Sequence, residues 1–243
     1  MASEFVPTFH TADQAQTLDV SAVLELERKI AASGASLFDL MNRAGLAVAM
    51  YVGERLGLGT NVVVLAGTGN NGGDGWVAAE LLSKMGARVT IACSLPPEGV
   101  TAQPARDAAI HAARFGNRAS LSVLAEPSAD DVKGALSQAN IVIDALLGTG
   151  FAGTSLRGSS LEWIQLLADE QASRKAAGRQ LAVIAVDAPS GVNAQTGAAT
   201  DPCVRATATI TMMAAKPGLL AEPGSAYVGQ LLVARIFPLE QVS

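Results

Sequence analysis

The sequence of 243 residues contains few cysteines and no long apolar run. Its two cysteines, Cys93 and Cys203, lack the spacing of a zinc site, which favours a reducing compartment and thiols without a catalytic role. No run approaches the ~20 apolar residues of a membrane span, and no basic stretch followed by an apolar one marks a secretory signal. We therefore expect a soluble, cytoplasmic protein with no membrane partner.

The chain also lacks an excess of positive charge. It has 17 basic and 22 acidic residues, a net charge of -5, and no basic block, which argues against a nucleic-acid partner. A phosphorylated metabolite held by backbone amides remains compatible with this charge. A hydrophobic content of 49% with 24 glycines suits a buried core crossed by tight loops, so we expect residues 1–243 to form one α/β domain.

The most informative stretch is a buried strand followed by a glycine-rich loop. Residues 62–66 are apolar, and residues 67–75 contain five glycines before helical spacing resumes at Trp76. This spacing places Asp74 or Gly75 near a helix N-terminus, where unpaired amides and the helix dipole favour an anion. The loop also matches G-x-G-x-x-G, the dinucleotide signature, although one such match is weak evidence.

Strands and helices alternate through most of the chain, which predicts βαβ units and a largely parallel sheet. Two helices precede the first strand, and the last two strands have no obvious helix between them, which leaves an antiparallel or irregular ending open. The predicted helices are 11–32, 36–56, 76–85, 104–115, 130–139 and 161–176, and the predicted strands are 62–66, 87–93, 121–124, 141–147, 181–186, 207–213 and 228–236.

Polar sequence follows three of the predicted strands: residues 70–74, residues 144–154 and residues 187–193. Ligands of parallel sheets bind beyond the carboxyl ends of the strands. Asp144 and Asp187 lie within or directly after apolar runs, where an unpaired carboxylate is costly, so a cation, a ligand or backbone amides must compensate them. Either aspartate alone could merely close an Asx-turn. Both together, beside the glycine loop, favour a binding site.

Two common nucleotide-binding classes fit poorly. Dinucleotide dehydrogenases usually carry an acidic residue at the end of the second strand, whereas this strand ends Ala92-Cys93-Ser94 and Glu98 lies beyond two prolines. A P-loop is excluded because no Gly-Lys-Ser/Thr follows the glycines.

Four motifs in this order resemble the YjeF N-terminal domain family, the NAD(P)H-hydrate epimerases, and the two N-terminal helices agree with that family as well. The motifs are Gly69-Asn70-Asn71-Gly72-Gly73-Asp74-Gly75, Asp144-Ala145-Leu146-Leu147-Gly148-Thr149-Gly150, Asp187-Ala188-Pro189-Ser190-Gly191 and Lys216-Pro217-Gly218-Leu219-Leu220.

The resemblance implies a three-layer α-β-α Rossmann-like sandwich, often a homodimer, that interconverts the R and S hydrates of NADH or NADPH (NADHX and NADPHX). Its functional partner is an NAD(P)H-hydrate dehydratase, which restores the cofactor and which many bacteria fuse behind this domain. The chain stops after its last predicted strand, so we expect a free-standing epimerase or an excised domain.

The resemblance also assigns residues to roles. A potassium ion would be bound by Asn71, Asp144 and Ser190, and Asp187 would lie against the reacting ring. Hard oxygen donors of this kind suit an alkali or alkaline-earth cation, although Ser190 could instead only hydrogen-bond its own turn. Substrate binding falls to Asp187 and to two loops, Asn70, Asn71, Gly72, Gly73 and Asp74, then Gly148, Thr149, Gly150, Phe151, Ala152, Gly153 and Thr154.

Epimerisation needs a proton delivered to the leaving hydroxyl and one removed from the entering water. Our hypothesis from the sequence is that Asp187, alone or with a bound water, carries this proton. Lys216 is a lesser candidate for an acid or an electrostatic stabiliser, and a loop contact explains it equally well. His10 and His111 lie outside every motif, and we interpret both as non-catalytic.

The chain departs from the family pattern at four positions: Glu80 replaces an arginine, Asn42 a glutamate, and Asn193 and Gln195 aspartates. None of these is an assigned ligand. The same domain also occurs in the family as a non-catalytic module, in scaffold proteins of mRNA decapping, and in an apolipoprotein-binding protein that retains the epimerase. The alternative function is therefore a binding module for a nucleotide-like ligand or a protein.

Overall fold

The computed structural model describes residues 5–116 and 119–237. Their strands form one eight-stranded sheet in the order β1-β8-β7-β6-β5-β2-β3-β4, numbered along the chain. All neighbours are parallel except β1 and β8. The strands are Thr8–Thr11, Asn61–Ala66, Arg88–Cys93, Leu121–Ala125, Ile141–Ala145, Ala182–Val186, Ala208–Met212 and Gln230–Arg235. The predicted parallel sheet is confirmed, while the predicted extent of 1–243 includes residues outside the described ranges.

Seven α-helices accompany the sheet in these ranges. In chain order, α1 to α7 are Val20–Ala32, Leu37–Gly53, Asn70–Lys84, Gln103–Phe115, Ala129–Gln138, Gly158–Ala176 and Pro217–Leu220. Among these residues no helix is both long and apolar enough to pass through a membrane.

The N-terminal segment differs from the prediction. The helix expected from residue 11 begins only at Val20, and the short strand β1 comes before it, pairing with β8 at the far end of the chain. Two helices do precede the first parallel strand, as predicted. The second begins as the sequence indicates, because Ser36 and Asp39 form a capping box, in which each side chain accepts a hydrogen bond from the other's backbone N–H.

The sheet is packed on both faces, as the predicted α-β-α layering requires. On one face α2, α3 and α4 cover a large apolar core that includes Val64, Trp76 and Ile91. On the other face α5 and α6 cover a second core around Leu65 and Trp163. The buried strands β2, β5 and β6 are nearly all apolar, as is typical of parallel strands covered on both sides, and β7 adds two buried threonines to its apolar residues.

The last two described strands are parallel to each other and have a short helix between them. β8 runs parallel to β7, and the connection between them contains the one-turn helix α7. The antiparallel partner of β8 is β1, which the sequence analysis did not identify. This arrangement brings Lys216, the residue before α7, back over the carboxyl ends of the strands.

Candidate active site

A cleft of about 790 Å³ lies at the carboxyl ends of the parallel strands. Most of its lining comes from the segments after β2, β5, β6 and β7 and from α1 and α2, with smaller contributions from the segments after β3 and β8 and from α4 and α6. The chain runs from β2 outward to β4 and then crosses to β5 on the other side of β2. The cleft therefore occupies the point at which strand order reverses, where open parallel sheets bind their ligands.

The glycines after β2 let two loops approach each other closely. A Cβ on Gly67 would lie 2.0 Å from the carbonyl oxygen of Leu146, and one on Gly72 would lie 1.9 Å from the carbonyl oxygen of Gly67. Helix α3 begins earlier than predicted, at Asn70 with Gly69 as its N-cap, so the amides at the helix N-terminus belong to Asn70 and its neighbours. Asp74 lies in the second turn, so it is near the helix N-terminus as predicted, but the predicted helix start at Trp76 is wrong.

Asn71 carries an unsatisfied amide. Its side-chain oxygen and nitrogen are both buried, and neither has a hydrogen-bond partner among the described residues. The oxygen lies beside Gly148, where a Cβ would approach it to 2.8 Å. Because buried polar groups are nearly always paired, this amide indicates a ligand at that point.

Asp144 and Ser190 lie beneath the cleft and are hydrogen-bonded to each other. The Asp144 carboxylate, which is fully buried, accepts bonds from the Ser190 amide at 2.8 Å and the Ser190 hydroxyl at 2.6 Å. The same hydroxyl accepts a bond from the Leu147 amide at 2.9 Å. Burial raises the pKa of Asp144 to about 6, although the bonds from Ser190 and from the Leu146 amide oppose the shift. The site therefore contains a negative charge that the protein compensates incompletely.

Asp187 is enclosed by hydrogen-bond donors. One carboxylate oxygen accepts bonds from the Lys216 ammonium at 2.6 Å and the Thr211 hydroxyl at 3.1 Å, and the other accepts one from the Thr149 amide at 3.1 Å. Lys216 is 1% exposed and Asp187 9%, so the pair is buried. Asp187 has a φ of +65°, a conformation that non-glycine residues adopt rarely and most often at functional sites.

These contacts determine the charge of Asp187. Burial works to raise its pKa, but the Lys216 ammonium and the bonds from Lys216 and Thr149 outweigh it and hold the pKa at about 2. Such a carboxylate stays ionised at neutral pH and accepts a proton poorly. The geometry therefore suits stabilisation of positive charge better than the proton transfer that we hypothesised from the sequence.

Most of the predicted substrate residues meet in the cleft. Those that line it are Asn70, Asn71, Asp74, Gly148, Thr149, Gly150, Phe151, Ala152, Gly153 and Asp187. Gly72 and Gly73 instead lie in helix packing, where a Cβ on Gly73 would meet the Met41 sulfur at 2.5 Å, and Thr154 is exposed outside the cleft lining. The three predicted metal ligands divide between the cleft wall, with Asn71, and the layer beneath, with Asp144 and Ser190.

The sequence analysis missed two polar residues near Asp187. Thr211 bonds both Asp187 and Lys216, and Glu27 on α1 lines the cleft. The signal for Thr211 was present, since Thr209 and Thr211 alternate within the otherwise apolar strand β7. Glu27 gave no signal, because it lies on an amphipathic helix far from every motif.

The departures from the family pattern lie outside the cleft lining. Glu80 pairs with Lys84 at 2.5 Å and with His111 at 2.8 Å between α3 and α4. Gln195 accepts a hydrogen bond from the Val20 amide at 2.8 Å, and so ties its loop to the start of α1. Asn193 accepts bonds within its own turn.

The cysteines and histidines also lie away from the site. Cys93 and Cys203 are free and buried, and burial raises the pKa of each thiol to about 12. Such thiols are unreactive at neutral pH. His10 is in β1, His111 is in α4, and neither lines the cleft.

Relatives of this chain include enzymes of nicotinamide nucleotide repair. It is 32% identical over 218 residues to the bifunctional NAD(P)H-hydrate repair enzyme Nnr of Thermanaerovibrio acidaminovorans, covering 90% of this chain and 40% of the relative. It is 35% identical to the NAD(P)H-hydrate epimerase of Cenarchaeum symbiosum, covering 74% of this chain and 76% of that one. The chain thus spans about two-fifths of the first relative's length and most of the second's.

The fold is also that of a solved structure. The crystal structure of the yeast protein YNL200c matches with a TM-score of 0.72 at 21% identity, over 90% of this chain and 87% of the yeast chain. The family model described as YjeF-related protein N-terminus matches residues 37–218, from the start of α2 to the segment that carries Lys216. With these motifs in place around the cleft, the chain belongs to the YjeF-related protein N-terminus family.

Proposed function

We propose that this protein interconverts the R and S hydrates of NADH and NADPH. The observation that carries the proposal is the ionised Asp187, held by Lys216 in a dinucleotide-sized cleft beside the glycine loop. Ser94, and no acidic residue, follows β3 in the cleft lining, which argues against an ordinary dehydrogenase cofactor site. The epimerase relative supports the same substrate class.

The proposed reaction passes through a cation. The nitrogen lone pair of the hydrated ring forms a C=N bond as the C–O bond to the hydroxyl breaks, and water then adds to the other face. The iminium between these steps is positively charged. An ionised carboxylate with a pKa of about 2, fixed in place by Lys216 and Thr149, would stabilise this charge where it develops.

We also propose a potassium site formed by Asn71, Asp144 and Ser190. The buried, unpaired amide of Asn71 and the incompletely compensated carboxylate of Asp144 fit a cation, and all three offer hard oxygen donors. Among the described residues no group of three His, Cys, Asp or Glu side chains is placed to hold a metal ion. A bound potassium ion would supply positive charge next to Asp144 and hold the loops after β2 and β5 together.

Unfolding experiments can test the ion site directly. At a potassium concentration 100 times its Kd we expect the melting temperature to be about 5–10 °C above that in lithium at the same ionic strength. Asn71→Ala should lose most of this difference, while Asn140→Ala, outside the cleft lining, should keep it. Equal melting temperatures in both salts for the unmodified protein would rule out the site.

The activity test starts from one purified stereoisomer of NADHX. Chromatography should show the other isomer forming faster with the protein than without it, in potassium and in lithium buffers. Asp187→Asn should lower the rate at least ~100-fold, whereas Asp107→Asn, on α4 outside the cleft lining, should leave it unchanged. No acceleration by the unmodified protein refutes the epimerase, and binding without turnover would favour the alternative of a binding module.

The functional partner that we propose is a dehydratase acting on the epimerised hydrate, as the bifunctional relatives suggest. A homodimer stays a prediction from the resemblance, and a cytoplasmic location stays a prediction from the lack of a membrane span and of a secretory signal in the sequence. Light scattering after gel filtration would give the oligomeric state.

A further inference from the structure

The cleft contains carboxyl groups in two different environments. Asp187 has Lys216, Thr211 and Thr149 as hydrogen-bond partners. Asp74 and Glu27 line the same cleft, yet across residues 5–116 and 119–237 neither side chain has a hydrogen bond or an ion pair. The cleft thus combines one fixed carboxylate with two carboxyl groups whose oxygens are available to a substrate.

The backbone holds Asp74 firmly in this position. Asp74 follows Asn71 by three residues on α3, so both side chains project from the same face of the helix. Helix α2 packs directly against this turn, because a Cβ on Gly45 would lie 2.8 Å from the Asp74 carbonyl oxygen and 2.4 Å from the Val77 Cβ. A side chain on a helix that is fixed by a second helix keeps a constant position, which proton transfer requires.

Most of the charged groups around Asp74 raise its pKa. Burial raises its pKa well above the usual value, Asp187 and Glu27 raise it further, and Lys216 opposes them. Burial also raises the pKa of Glu27, and Asp187 adds to this effect.

The nearest groups that α2 and α4 present to this part of α3 are uncharged: Met41 and Gly45 from α2 and Ala105 from α4. No charged group of α2 or α4 is among the causes of the shift in the pKa of Asp74. The pKa of Asp74 is thus raised while that of Asp187 is lowered. Two carboxyl groups with pKa values shifted apart in this way are typical of active sites in which one acts as an acid and the other stays ionised.

We propose that Asp74 is the proton-transfer group of the epimerisation, an inference that rests on the proposed function. As the ring nitrogen forms its C=N bond and the C–O bond breaks, the Asp74 carboxyl gives its proton to the leaving oxygen, which departs as water. The resulting iminium faces the ionised Asp187. Water adds to the other face, the C=N electron pair returns to nitrogen, and the surplus proton returns to Asp74 through water in the open cleft.

The decisive comparison is Asp74→Asn against the unmodified enzyme, with Asp107→Asn as a surface control. Asp74→Asn should lower kcat for NADHX epimerisation at least ~100-fold and change KM less than ~3-fold, because the amide keeps the shape and loses the proton. Asp107→Asn should change neither constant. A role limited to nucleotide binding would instead raise KM and leave kcat intact, and this result would overturn the proposal.

The pH profile of the unmodified enzyme is an independent measurement, because it does not depend on whether a variant folds. In the unmodified enzyme kcat should fall as pH rises through the pKa of Asp74, because the acid loses its proton. Asp74→Glu should keep such a basic limb at a shifted position, and the residual activity of folded Asp74→Asn should lack it. A profile without a basic limb in the unmodified enzyme would overturn the proposal.

The failure of this inference and that of the proposed function are distinguishable. If the unmodified enzyme accelerates epimerisation and Asp74→Asn keeps its kcat, the assignment of Asp74 is wrong and the epimerase stands. If the unmodified enzyme does not accelerate epimerisation, both are wrong.

Discussion

Replacing Lys216 with methionine should destabilise the protein by about 3–5 kcal/mol at pH 7, because it leaves the Asp187 carboxylate buried without its counter-charge. Methionine keeps much of the side-chain volume, so the effect of lost charge dominates that of a cavity. Lys216 is 1% exposed and bonds Asp187, Thr211 and the Met212 carbonyl oxygen, so water cannot replace it easily.

The shift in the pKa of Asp187 gives a partial check on this magnitude. Its fall from 3.8 to about 2 corresponds to stabilisation on the order of 2 kcal/mol, and Lys216 also offsets the cost of burying the carboxylate. Because the folded-state pKa is lowered, this stabilisation is fully present above pH ~4 and is lost as pH falls towards 2. In Lys216→Met burial is opposed only by the remaining hydrogen bonds, such as that from the Thr149 amide, so the pKa of Asp187 should rise.

Urea unfolding at several pH values would measure both effects. The deficit of Lys216→Met should be largest at pH 7 and smaller in acid, where Asp187 takes up a proton. Lys29→Met, which breaks an exposed 3.2 Å pair with Glu25, should cost less than ~1 kcal/mol at every pH. The double variant Lys216→Met/Asp187→Asn should lose less unfolding free energy than the two single variants lose in sum. A loss below ~1 kcal/mol at pH 7, or a deficit independent of pH, would refute the reasoning.

Two further substitutions test how the site is positioned, both by urea unfolding. Gly72→Ala should cost ~3 kcal/mol or more, because its Cβ would lie 1.9 Å from the Gly67 carbonyl oxygen, while Gly134→Ala, with nothing within 4 Å, should stabilise α5 by ~0.5–1 kcal/mol. Equal effects at the two glycines would contradict the close approach of the loops. Ser36→Ala should cost ~0.5–2 kcal/mol, because it removes the cap on the Asp39 amide, and a neutral result would show that the cap does not stabilise α2.

Features that depend on neighbours in the chain could be read from the sequence. The capping box of α2 needs only residues three positions apart, and the apolar runs of the parallel strands are legible because both faces of these strands are buried. The same locality explains an error at the N-terminus. Thr11 and Gln14 do contact each other, since the backbone N–H of Gln14 donates to the Thr11 carbonyl oxygen at 3.0 Å. This bond closes a turn after β1 and does not begin a helix.

Errors arose where distant segments determine local structure. Five glycines in residues 67–75 indicated a loop, yet Gly72 and Gly73 lie within α3. They are glycines because Gly67 and Met41 pack too closely there for any side chain. β1 exists only through its pairing with β8 at the opposite end of the chain. Propensity within a short window contains neither of these contacts.

The candidate site shows the same division. The sequence by itself determined that Asn71, Asp144 and Asp187 follow strands whose carboxyl ends meet, because parallel pairing brings those ends to one edge. Only the tertiary structure pairs Lys216 with Asp187 and leaves the Asp74 side chain without a hydrogen bond or ion pair among the described residues. Charge states follow from that choice, since a carboxyl group's pKa depends on burial and on charges brought close by folding from distant parts of the chain.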